Sequence, residues 1–63
     1  IGMSFSEYLM QYRLNMAKRW LADTDMKISE IAEKVGYSSP QNFIRNFRKL
    51  EGMTPGKFRE KAQ

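Results

Sequence analysis

Residues 27–50 read KISEIAEKVGYSSPQNFIRNFRKL, and the fold depends on how this stretch is punctuated. Ile28, Ile31, Ala32 and Val35 recur at intervals of three and four, the apolar stripe of a short helix. Gly36 ends that helix, because glycine takes up a left-handed backbone without steric cost. Ser39-Pro40 then restarts the chain: serine supplies an acceptor for unpaired N–H groups, and proline suits the first helical turn. Two short helices around a glycine turn predict a helix-turn-helix.

The second helix has two unlike faces. At about 100° per residue, Gln41, Asn42, Arg45, Asn46, Arg48 and Lys49 fall in one arc. Pro40, Phe43, Ile44, Phe47 and Leu50 fill the opposite one. Arginine forks onto guanine, and Asn or Gln onto adenine, so the polar arc has the chemistry of a base reader. Lys49 suits a phosphate.

Working outward, Ser4 followed by Glu7 predicts a capping box, opening a helix that runs to about residue 22 without Pro or Gly. It carries two apolar stripes: Phe5, Leu9, Tyr12, Met16 and Trp20, and then Met10, Leu14, Ala17 and Leu21. A helix this apolar expects cover on both sides. Asp23-Thr24-Asp25 links it to the next helix, where Met26 is placed to staple onto Ile31. After Glu51-Gly52-Met53, Thr54-Pro55 restarts the chain as Ser39-Pro40 does. Phe58 is expected inward, and Lys57, Arg59 and Lys61 outward. Gly56 and Lys57, at that helix start, form a candidate site for a backbone phosphate; the alternative, compatible with it, is a C-terminal clamp over the core.

The 63 residues bound one small domain. Cysteine and histidine are absent, which removes disulfides, thiolate or imidazole metal sites and Ser-His or Cys-His catalysis. An enzyme reading would need two of the scattered carboxylates in one cleft. No metal or cofactor is expected, and no apolar run is long enough for a membrane span. Of the net charge of +4, none comes from residues 1–39, where five basic and five acidic side chains cancel. All of it lies in residues 40–63, with six basic and two acidic side chains, as a polyanion footprint would have it.

Arg13-Leu14 with Ala17 and Leu21, then ISEIAEKVGYSSPQNFIRNFRK, then GMTPGKFR, resemble the C-terminal part of the DNA-binding domain of the AraC/XylS family of bacterial transcription regulators. The resemblance covers essentially the whole chain. It implies an all-α, homeodomain-like bundle of about four helices, truncated from a domain with two helix-turn-helix units. Residues 4–22 become the linker helix, 28–50 the second unit and 55–62 the final helix. It also implies a cytoplasmic, non-enzymatic regulator whose partner is double-stranded DNA, with RNA polymerase as a further partner. Gln41, Asn42 and Arg45 inherit base reading; Ser38, Ser39, Arg48 and Lys49 inherit backbone contacts; Phe43, Phe47 and Leu50 are expected in the core. Lys27 departs from the family's capping Ser or Pro, and Pro40 stands where many relatives have a polar contact. The alternative is a helix-turn-helix that docks a partner subunit or polymerase.

One repeat bears on the truncation. Gly2-Met3-Ser4 with Tyr8 reappears fifty residues later as Gly52-Met53-Thr54 with Phe58. If the second copy closes a helix-turn-helix, the first closes another, lying before Ile1. One stripe of the linker helix is then left uncovered here, and self-association through it is expected.

Overall fold

In the computed structural model, which describes Gly2 and residues 4–63, the chain forms four helices: α1 (Phe5–Asp23), α2 (Ile28–Lys34), α3 (Pro40–Glu51) and α4 (Pro55–Ala62). No strand occurs among the described residues. The sequence repeat is described except at Met3, which lies outside those residues.

Each helix begins where its cap chemistry places it. Ser4 Oγ accepts from the Glu7 N–H at 3.1 Å, and Glu7 Oε1 accepts from the Ser4 N–H at 3.1 Å, so the capping box at α1 is complete. Hydrogen bonding from the Ser4 backbone N–H, and secondarily from its side chain, holds the Glu7 carboxyl below its ordinary value. Ser39 Oγ accepts from the Asn42 N–H, and Thr54 Oγ1 from the Lys57 N–H, each at 3.2 Å. Pro40 and Pro55 follow these hydroxyls at the first helical position. At α2, Lys27 offers no side-chain acceptor. Glu30 nevertheless takes the Lys27 N–H at 3.1 Å, so half of a capping box orders a start that lacks the usual residue.

The turn after α2 is a Schellman motif. Gly36, at φ 98°, donates to the Glu33 carbonyl, and Tyr37 donates to the Ala32 carbonyl, both at 3.0 Å. A Cβ on Gly36 would lie 3.3 Å from the Arg13 guanidinium carbon, so α1 lays an arginine across the turn. Glycine is required there for its left-handed backbone, and the Arg13 guanidinium, the end of a flexible side chain, packs closely over it. The C-terminus of α1 is closed from a distance. Arg59 donates to the Leu21 and Thr24 carbonyls at 3.1 and 3.2 Å, and Gln63 Nε2 reaches the same two at 3.0 and 3.1 Å. Arg59 is thus not an outward-facing charge as its pattern suggested. A cation meets the negative end of the α1 dipole there and satisfies carbonyls the helix leaves open.

Leu14, Ala17 and Leu21 of α1, Ile31 and Ala32 of α2 with the following Val35, and Phe43 and Phe47 of α3 form the buried core. Met26, Ile28, Tyr37 and Phe58 pack against it. Tyr37, Phe43, Phe47 and Phe58 make a continuous aromatic row with centroid spacings of 5.4, 5.7 and 5.7 Å, joining the turn to α4 through α3. Such tilted contacts contribute about 0.5–1.5 kcal/mol each beyond area burial.

Leu50 departs from expectation: it is 48% exposed rather than in the core. Periodicity puts it on the side of Phe43 and Phe47, but the neighbouring helices leave its side chain uncovered. The two α1 stripes also part company. Leu14, Ala17 and Leu21 are covered, Met10 is not, and Phe5 and Tyr12 stand 78% and 55% exposed. Leu9, Met16 and Trp20 of the first stripe are half-buried.

Candidate nucleic-acid interface

α3 is seated in the core by its apolar side. Phe43 and Phe47 are fully buried, while Gln41, Arg45, Arg48 and Lys49 are exposed and Asn42 and Asn46 half-buried on the other side. The core thereby fixes which way the polar arc points. Gln41, Ile44, Arg45, Arg48, Lys49 and Thr54 line a shallow trough of about 540 Å³ that runs from α3 to the start of α4. No carboxylate lines it. Glu51, the one acid on α3, is turned back to Lys18 of α1 at 3.2 Å, which removes its charge from the arc and ties α1 to the end of α3.

The base-reading candidates are thus gathered. Asn42 Oδ1 accepts from Arg45 Nη2, Asn42 Nδ2 donates to Ser38 Oγ at 3.4 Å, and Gln41 stands free beside them. Among the backbone candidates, Ser38, Arg48 and Lys49 are exposed at the two ends of α3. Ser39 has spent its acceptor on the N-cap but retains a hydroxyl proton to donate. At α4, Pro55 has no N–H and the Lys57 N–H already serves Thr54, so Gly56 supplies the amide left at that helix start. Lys57 Nζ lies 3.9 Å from Glu60, an exposed pair that leaves the ammonium able to turn toward an anion.

Arg13, Lys18 and Arg59 were not legible as parts of this arrangement. None of them lies on the interface, yet each links α1 to the turn, to α3 or to α4. The one sequence signal was Gly36 itself, since a left-handed turn can also admit a side chain from elsewhere. Among the described residues no helix is long and apolar enough to cross a membrane, and no group of His, Cys, Asp or Glu is placed to hold a metal ion.

Four helices, the second and third joined by a glycine turn and the third carrying a cationic arc, define a helix-turn-helix protein. A family model described as a helix-turn-helix domain matches residues 1–61, and the chain belongs to that family, in its AraC/XylS-type branch. It is 59% identical over 63 residues to the HTH-type transcriptional regulator YtdP of Bacillus subtilis, spanning all of this chain and 8% of that protein. It is 37% identical over 62 residues to the bifunctional transcriptional activator/DNA repair enzyme AdaA of the same organism, spanning 98% of this chain and 29% of AdaA. The crystal structure of the C-terminal domain of the two-component response regulator yesN from Fusobacterium nucleatum superposes with a TM-score of 0.90 at 41% identity, covering 94% of this chain and 57% of that one. The chain therefore spans less than a third of the length of these two regulators.

Proposed function

We propose that this chain is a sequence-specific, non-enzymatic DNA-binding module of a transcription regulator, with α3 in the major groove. Gln41 and Arg45 face base edges with Asn42 between them, while Ser38, Ser39, Arg48, Lys49, Gly56 and Lys57 hold the phosphate backbone. The observation that carries this reading is the acid-free arc of α3, whose orientation is set by the burial of Phe43 and Phe47 on its other side. The relatives' names as regulators and activators agree with it. Docking of a protein partner by α3 has less support, because the arc lacks an aromatic anchor.

The same reading extends to a bipartite domain. Gly2 and Gly52 share a left-handed backbone, at φ 74° and 82°, and Ser4 and Thr54 cap their helices at nearly the same φ and ψ. The repeat is therefore one of conformation as well as letters, which supports a second unit of the same kind packing on the exposed stripe of α1. Without such cover, self-association through Phe5, Tyr8 and Tyr12 is the expected behaviour. Contact with RNA polymerase and a cytoplasmic location follow from the role proposed.

Anisotropy titration onto random duplex DNA across a salt series tests the module. With Arg48, Lys49 and Lys57 on phosphates, log K should fall with log salt at a slope of about −3. A slope near zero would overturn the reading.

A further inference from the structure

A bidentate contact to adenine uses both ends of an Asn amide, the oxygen as acceptor and the nitrogen as donor. In Asn42 both ends are already engaged within the protein. Its oxygen accepts from the Arg45 guanidinium three residues on, and its nitrogen donates to Ser38 Oγ, 3.4 Å away and four residues back. The two bonds differ in strength. The one to arginine is charge-assisted, and such bonds are roughly twice as strong as neutral ones. Turning the amide over would set its NH₂ against the guanidinium N–H groups, donor against donor, so Arg45 itself selects which end faces it.

We infer that Asn42 is a positioning residue for Arg45 and reads no base pair of its own. The inference rests on α3 being the base-reading helix. One guanidinium N–H is given up to Asn42, and the remaining donors stay available for the O6/N7 edge of a guanine. An exposed arginine on a flexible stem would otherwise sample many rotamers. Held from Asn42, with Ser38 behind the amide, it meets the base edge already oriented, so less freedom is lost on binding. Ser38, at the end of the turn, thereby acts on base choice through two side chains.

The test is the base preference at every position of the site, measured on singly substituted duplexes for the parent, Asn42→Ala, Arg45→Ala and the double variant. Asn42→Ala should weaken preference by about tenfold, within the range for couplings between touching residues, at the same base pair that Arg45→Ala flattens. The double variant should be no worse than Arg45→Ala. Asn42→Asp keeps the acceptor and should keep that preference while binding all DNA more weakly. In the free protein, rotation about the Arg45 Nε–Cζ bond, followed by side-chain NMR, should speed up in Asn42→Ala and stay slow in Asn42→Asp. Loss of preference at a different base pair, adding to that of Arg45→Ala, would overturn the inference and leave the DNA reading intact. A parent protein with no preference at any position would overturn both.

Discussion

Phe47 stands where three elements meet. Its ring lies between those of Phe43 and Phe58, in a cluster that also holds Ile31 and Val35, and it is completely buried. Truncation to alanine leaves a void that the rigid aromatic row cannot close, at a cost of about 3–5 kcal/mol. A chain of 63 residues has little more than that to lose, since a core this small supplies roughly 3–5 kcal/mol. Phe47→Ala should therefore lose its cooperative thermal transition under conditions where the parent melts as one unit. A melt within a few degrees of the parent's would show that Phe47 is not the keystone of the packing. Leu50 is the contrast. With its side chain half in water, Leu50→Ala should leave the transition nearly in place.

At the scale of elements, α4 acts as a lid on the end of α1 as much as a helix in its own right. Arg59 and Gln63 together engage three carbonyls at that end, those of Leu21, Ala22 and Thr24. Arg59→Ala removes two charge-assisted bonds. Because the site is part-exposed, the expected loss is about 1–2 kcal/mol, below the upper range for hydrogen bonds to charged groups. Hydrogen exchange should quicken first in the last turn of α1 and in α4, with α3 protected. Uniform quickening across all four helices would mean that the contact has only a global effect.

These elements differ in how legible they were. The four helices follow from local signals: Ser4 with Glu7, Ser39-Pro40, Thr54-Pro55, and glycines at 36 and 52 whose backbones are left-handed. Caps and turns are short-range chemistry, and short-range chemistry is written in adjacent letters. Leu50 and Arg59 were misplaced because periodicity assigns a side of a helix and says nothing of which neighbour lies there. The polar arc of α3 was legible as a set of residues. The bond from Arg45 to Asn42 was not, since it depends on rotamers rather than spacing.

Over the whole molecule, apolar and cationic surfaces are segregated. Residues 1–39 carry no net charge and present the exposed apolar stripe of α1; residues 40–63 hold the entire +4 and present the arc of α3. Lys18 with Glu51 ties the two regions together, so α1 orients the arc as well as covering the core. This division suits a module that meets protein through one surface and a polyanion through the other. On the function proposed, the second surface reads bases rather than merely holding phosphates. The direct measurement is the affinity of the parent, Arg45→Ala and Lys49→Ala on a cognate duplex and on random duplexes at one salt concentration. Arg45→Ala should cost roughly 1–3 kcal/mol on the cognate site and far less on random DNA. Lys49→Ala should weaken both alike and make the salt slope shallower by about one. Equal losses on cognate and random DNA for Arg45→Ala would contradict base reading by α3.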